Sequence, residues 1–124
     1  MKILLADDSP EVRSALRLLL EQEPLPAVVA VAEVSDMKSL LAHLREGCPE
    51  FLLLDWELPG LRCGDIRVIL QADCPQMKVI AMSSKYEARQ AALSAGVDAF
   101  VSKAEPPEKI LSTLHSLAST QVKN

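Results

Sequence analysis

Phe51-Leu52-Leu53-Leu54-Asp55-Trp56-Glu57-Leu58-Pro59-Gly60 sets a short apolar run against an abrupt carboxylate and a Pro-Gly turn. Four consecutive apolar residues are too few for a helix. They show no polar alternation, so both faces of the segment are covered, as in the central strand of a parallel sheet. Such a strand delivers Asp55 to its carboxyl end, where α/β sheets carry their sites.

The pattern repeats outward from this strand. Upstream, Lys2 to Ala6 reads as a first strand that stops at Asp7-Asp8-Ser9-Pro10-Glu11. Ser9 suits a helix cap, Pro10 the first helical position and Glu11 the positive helix end. Val12, Ala15, Leu16 and Leu19 then recur at one-face helical spacing. Pro24 and Pro26 close that helix, 27–34 is a β-branched second strand, and Met37, Leu40, Leu41 and Leu44 mark a second helix ended by Gly47. Downstream, a third helix carries Ile66, Ile69 and Leu70. Met77 to Met82 is a fourth strand closed by Ser83. Ala88, Ala91, Ala92 and Ala95 give a fourth helix a small-residue stripe, ended by Gly96. Val97 to Ser102 is a fifth strand closed by Lys103, and 105–119 a fifth helix with Ile110, Leu111, Leu114 and Leu117 inward.

Five strands and five helices in strict alternation predict an α/β fold with helices on both faces of a parallel sheet, a three-layer (βα)5 arrangement of strand order 2-1-3-4-5. With 124 residues and no internal repeat or linker, 1–124 is expected to form one domain. Aromatics are only 3% of the chain, so Leu, Val, Ile and Ala must build the core.

Composition excludes several classes. Acidic residues (17) outnumber basic ones (13), and no Lys/Arg cluster offers the stripe that a phosphate backbone demands, so direct nucleic-acid binding is not expected. Asp7-Asp8 interrupts the amino-terminal apolar run far short of a signal peptide, and no stretch approaches the roughly 18 apolar residues of a membrane span. A cytoplasmic protein without membrane attachment is expected. Cys48, Cys63 and Cys74 match neither a CxxC pair nor a zinc cluster, and reduced thiols follow as the expectation.

The polar residues that break the pattern fall at the carboxyl ends of strands: Asp7 and Asp8, Asp55, Ser83 and Lys103. In the expected strand order they converge. Carboxylates about 4 Å apart repel by roughly 4 kcal/mol per pair at an effective dielectric of 20, so positive charge must sit among them. A hard divalent cation suits an all-oxygen set, Mg²⁺ first and Mn²⁺ as its substitute. Asp55 is the best-placed nucleophile toward phosphorus, Lys103 can neutralise a phosphoryl oxygen, and Ser83 can donate to another. Lys85, two residues past Ser83, is expected to pair with the Glu57 side chain across the entrance and tune loss of a phosphoryl group.

Asp7-Asp8, Asp55 to Gly60, Ser83-Ser84 and Ala95-Gly96-Val97-Asp98-Ala99-Phe100-Val101-Ser102-Lys103, in this order, resemble the receiver domain of bacterial two-component response regulators over nearly the whole chain. The resemblance implies a flavodoxin-like sheet, Asp55 as phosphoacceptor and Asp7, Asp8 and Asp55 as metal holders, with Glu57 a ligand through its backbone carbonyl. It implies Lys103 as the phosphate-pairing cation and Ser83 and Phe100 as the switch that alters the surface of the fourth helix, fifth strand and fifth helix. It further implies a sensor histidine kinase as phosphodonor, a homodimer formed on phosphorylation, and transcription control through an output domain absent from these residues. The usual Lys-Pro is replaced by Lys103-Ala104-Glu105-Pro106, a pattern similar to the subgroup joined to LuxR-type helix-turn-helix domains. A cis bond after Lys103 would then be a non-proline one.

Two rivals share parts of this pattern. A haloacid dehalogenase-like phosphatase also uses an aspartyl nucleophile with Mg²⁺, but its second acid would stand where this chain has Ser9. A receiver-shaped interaction module that works without phosphorylation is opposed only by the intact acceptor set. The expected protein is a switch rather than a multiple-turnover enzyme.

Overall fold

The computed structural model describes residues 1–22, 30–62, 66 and 74–122. Its strands are β1 (Lys2–Ala6), β2 (Ala30–Val34), β3 (Phe51–Asp55), β4 (Lys78–Ser83) and β5 (Ala99–Ser102). Its helices are α1 (Pro10–Gln22), α2 (Met37–Glu46), α3 (Ala88–Ser94) and α4 (Glu108–Val122). Here α3 and α4 correspond to the fourth and fifth helices of the sequence pattern. Of the third expected helix only Ile66 lies among the described residues, where it is buried in the core. The five strands form one sheet in the order β2-β1-β3-β4-β5, every pairing parallel.

Alternation along the strands divides the core into two layers. Leu4, Ala6, Leu52, Leu54, Val79 and Ala81 face one side and pack with Met37, Leu40 and Leu44 of α2 and with Ala92 of α3. Ile3, Leu5, Phe51, Leu53, Ile80 and Met82 face the other, against Leu16 and Leu20 of α1 and Ile110, Leu111 and Leu114 of α4. β3 is buried from end to end, as its unbroken apolar run requires. Each fully buried leucine contributes roughly 2 kcal/mol of transfer free energy, so the central strand anchors both layers.

Helix starts follow their caps. Ser9 Oγ accepts the Val12 amide at 3.3 Å ahead of α1, and Asp36 accepts the Ser39 amide at 2.7 Å ahead of α2. The Pro59-Gly60 turn docks on the start of α2, where the Met37 amide donates to the Pro59 carbonyl at 2.9 Å. Gly60 sits at φ 87°, and a Cβ there would meet the Met37 Cβ at 3.0 Å, so turn geometry and space both require glycine.

Several expectations shift by a few residues. β2 begins at Ala30, and 27–29 lie outside the described residues; β4 starts one residue later than Met77 and includes Ser83. β5 begins at Ala99 rather than Val97, and α4 at Glu108, because Pro106 and Pro107 hold back the helix start. The inward face of α1 centres on Leu16 and Leu20, with Val12 and Leu19 half-buried and Ala15 exposed. Ala15 has too little apolar surface to turn the helix toward itself. In α3 the buried residue is Ala92, while Ala91 is exposed.

Cysteine chemistry departs from expectation outright: Cys48 and Cys74 form a disulfide, with a Cα–Cα distance of 5.8 Å. Parallel pairing explains how the two meet. Phe51 of β3 stands beside Lys78 of β4, so the segments leading into these two strands run level at the amino-terminal end of the sheet. No motif spacing signals a contact that arises from sheet register. Among the described residues every peptide bond is trans, including Lys103-Ala104, so the delayed proline demands no cis link. Among the same residues, no helix is long and apolar enough to cross a membrane.

The bridge closes a loop over a sequence separation of 26 residues, worth about 3.5 kcal/mol of denatured-state entropy. Alkylation in denaturant before and after reduction is expected to differ by two thiols, and reduction or Cys74→Ser to lower stability to urea by about that amount.

Candidate functional site

Register brings the strand ends level. Ala6 pairs with Leu54, so Asp7 and Asp55 leave neighbouring strands side by side. Asp55 pairs with Met82, which puts Ser83 one step beyond, and Ser83 pairs with Ser102, which puts Lys103 one step further. The staircase places the side chains of Asp7, Asp55, Ser83 and Lys103 around the carboxyl edge of the sheet.

Asp7 is wholly buried, and Asp55 is only 2% exposed. Asp7 Oδ1 accepts the Ser9 amide at 2.9 Å, while its Oδ2 accepts from Lys103 Nζ at 2.8 Å. Asp55 Oδ1 accepts the Glu57 amide at 3.0 Å and lies 3.3 Å from Lys103 Nζ. One ammonium thus serves two buried carboxylates. One carboxylate oxygen each from Asp7, Asp8 and the same Asp55 lies within 4.8 Å of the others, with Asp8 exposed at the mouth. Three hard oxygen donors from two strand ends, one of them open to solvent, fit a hard divalent cation that keeps several waters.

The electrostatics agree with this crowding. Burial pushes the Asp55 carboxyl above its ordinary pKa, and the Asp7 charge adds to the rise, while the Glu57 amide and Lys103 oppose it. Burial disfavours the Lys103 charge, yet the hydrogen bond to Asp7 and the field of Asp55 prevail and hold its pKa above the usual lysine value. The cation is therefore locked in its charged form between the two acids.

Ser83 is fully buried at the end of β4. Its carbonyl accepts the Lys103 amide at 2.8 Å, its hydroxyl oxygen accepts the Lys85 amide at 2.9 Å, and that hydroxyl donates to Glu57 Oε2 at 2.7 Å. The expected Glu57–Lys85 ion pair is absent among the described residues: the Glu57 carboxylate takes the Ser83 hydroxyl, and Lys85 enters only through its backbone. A short buried serine costs less side-chain entropy to engage than a long exposed lysine. Phe100, beside Ala81 in the β4–β5 register, is half-buried against the α2-side core layer. Trp56, next to Asp55, packs partly on the same layer.

Two contributors had no sequence signal beyond position. Arg13 of α1 donates from Nη1 to the Asp7 carbonyl at 2.6 Å and bonds Glu33 of β2 at 2.9 Å, bracing the end of β1 from behind. The Trp56 amide donates to the Met82 carbonyl at 2.7 Å and extends the β3–β4 ladder past Asp55.

This constellation on this sheet coincides with a family match: the response regulator receiver domain model covers residues 3–115. The chain belongs to that family. Among its relatives, the transcriptional activator protein ExaE of Pseudomonas putida is 34% identical over 90% of this chain and 52% of its own length. This receiver spans about half the length of most of the curated relatives it matches. A LuxR-family two-component response regulator from an Aurantimonas species superposes with a TM-score of 0.81 at 28% identity, over 96% of this chain and 85% of its own. The isolated receiver domain of RcsB from Salmonella enterica serovar Typhimurium, solved with the phosphomimetic BeF3-, gives 0.81 at 26% identity, over 96% and 88%. The family is one of signalling switches, and the strand order 2-1-3-4-5 is that of its flavodoxin-like fold.

Removing Lys103 leaves Asp7 and Asp55 buried without their cation. Lys103→Met is expected to cost about 2 kcal/mol in urea unfolding, below the 3 to 5 of a fully buried pair because Lys103 is 25% exposed. Adding Asp7→Asn to that variant is expected to recover most of the loss.

Proposed function

We infer that this receiver accepts a phosphoryl group on Asp55 from the phosphohistidine of a sensor histidine kinase, as one step of phosphorelay signal transduction. The observation that supports it most is the pairing of a 98% buried carboxylate with a charged lysine 3.3 Å away, at the open carboxyl edge of the sheet. Among the described residues the bonds to Asp55 fall on Oδ1, which favours Oδ2 as the oxygen that attacks. A new O–P bond forms at Asp55 as the N–P bond of the phosphohistidine breaks, and the electron pair of that bond leaves with the imidazole nitrogen. The Glu57 amide holds the acceptor carboxylate in one orientation throughout. Lys103 pairs with a phosphoryl oxygen, and Ser83 donates to another after moving toward the group.

Asp7, Asp8, Asp55 and the Glu57 backbone carbonyl would hold Mg²⁺, or Mn²⁺ in its place. When bound, the ion supplies charge neutralisation between the acids and the phosphoryl oxygens. With the new anion in place, Ser83 moves off the β4 edge, Phe100 turns inward, and the surface of α3, β5 and α4 becomes the output. Two packings separated by a few kcal/mol are enough for such a switch.

On this reading 1–124 is one receiver domain that acts in the cytoplasm, binds no nucleic acid or membrane itself, and pairs with a second copy when phosphorylated. Transcription control comes through a DNA-binding region outside these residues, as the LuxR-family relatives suggest. A cytoplasmic setting sits against the Cys48–Cys74 bridge, since glutathione keeps most thiols there reduced; the bridge then forms only under oxidising conditions.

Incubation with radiolabelled acetyl phosphate is expected to label the protein only with Mg²⁺ or Mn²⁺ present, and to leave Asp55→Asn unlabelled. Label that survives Asp55→Asn, or none in the wild type with Mg²⁺, overturns the proposal. Mg²⁺ at about a hundredfold excess over its Kd is expected to stabilise the fold by about 2.7 kcal/mol, an effect lost in Asp8→Asn.

A further inference from the structure

The Glu57 side chain faces the site with a bond that phosphoryl transfer does not need. Its backbone amide braces Asp55 Oδ1 at 3.0 Å while its carboxylate holds the Ser83 hydroxyl at 2.7 Å, so one residue grips the acceptor with its main chain and the hydroxyl with its side chain. At this length the hydrogen bond to a carboxylate is of the charge-assisted kind, about twice as strong as a neutral one.

A serine hydroxyl has one proton to give. Ser83 already accepts from the Lys85 amide, so the bond to Glu57 uses its entire donor capacity. A phosphoryl oxygen on Asp55 can be served by Ser83 only if Glu57 lets go. The two bonds exclude each other.

We propose that Glu57 is a latch on the switch hydroxyl: its carboxylate holds Ser83 in the unphosphorylated arrangement by competing with the phosphoryl group for the single Ser83 proton. Glu57 is thus a positioning residue, acting through Ser83 rather than on the reacting atoms. The latch has a built-in release. A phosphoryl group brings between one and two negative charges onto Asp55, within reach of a carboxylate that is itself exposed and can swing into water. The arriving charge therefore repels the Glu57 side chain as it attracts the Ser83 proton, which sharpens the transition between the two arrangements. The Glu57 amide stays on the Asp55 side throughout, since it is separated from the carboxylate by rotatable bonds. The backbone position of residue 57 thus serves both states, and only the side chain marks the resting one.

The inference rests on Asp55 being the acceptor, and its test separates the two. Beryllofluoride is titrated in Mg²⁺ into wild type, Glu57→Ala, Ser83→Ala and the double variant, read by Trp56 fluorescence and by calorimetry. Glu57→Ala is expected to lower the half-saturating beryllofluoride concentration about three- to tenfold, the scale of a charge-assisted hydrogen bond discounted for solvent. In the Ser83→Ala background the same substitution is expected to change it less than about twofold, because no hydroxyl remains to be released. Glu57→Gln keeps a weaker, neutral acceptor and is expected to fall between wild type and Glu57→Ala; it carries the test if Glu57→Ala does not fold. An equal gain in both backgrounds shows plain charge repulsion and overturns the latch, as does no gain in either. Absence of any wild-type response to beryllofluoride, together with no acetyl phosphate labelling, overturns the acceptor reading and the latch with it.

Discussion

Two carboxylates almost wholly removed from water, Asp7 and Asp55, share the single ammonium of Lys103. Isolated charges do not survive such burial; they are paired or they neutralise. Here the pairing crosses 96 residues of chain, so it can exist only if β1, β3, β4 and β5 lie in the observed order and register. A slip of one residue in any of these pairings would turn a charged side chain into a core layer and an apolar one outward. The apolar layers stabilise the fold, and the charged edge selects which register of that fold is acceptable.

The same arrangement leaves the edge unbalanced. Three acids meet one lysine within a few ångströms, and burial lifts the Asp55 carboxyl above its ordinary range. Such a site gains from any cation and is poised to accept a group that arrives with one. The crowding that disfavours the charge on Asp55 is the same feature that suits the edge to a cation.

How much of this could be read beforehand depends on the kind of contact. β3 was legible because a strand covered on both faces has no polar position to spare, and Asp55 stood out because it ends that run. Asp7, Asp8, Ser83 and Lys103 were legible for the same reason, as polar residues at the exits of apolar strands. Contacts made by alignment across the sheet were not. Cys48 and Cys74 meet because β3 and β4 run parallel in a fixed register, and nothing in their spacing announces it. The inward face of α1 was misjudged at Ala15 because periodicity counts residues, whereas packing weighs area; Leu20 outweighs an alanine. The partner of Glu57 was misassigned on charge. A lysine looks the better match by Coulomb's law, but Lys85 is exposed to water, while the Ser83 hydroxyl is buried and needs an acceptor for its proton.

That last choice bears on how such a site can rest. With Ser83 wholly buried, a hydroxyl proton without an acceptor would cost about 1 to 3 kcal/mol, even with the Lys85 amide on the oxygen. Some acceptor must therefore hold that proton. Backbone carbonyls at the end of β4 are committed elsewhere: that of Met82 takes the Trp56 amide, and that of Ser83 takes the Lys103 amide. The side chain two residues past Asp55 is the one that reaches. A carboxylate there binds the hydroxyl more strongly than an amide or a second hydroxyl would, and under the proposed phosphorylation it would also recoil from the added charge. On the proposed reading of Asp55 as acceptor, the identity of residue 57 sets both how firmly the resting state is held and how abruptly it is left, through a single proton with two claimants.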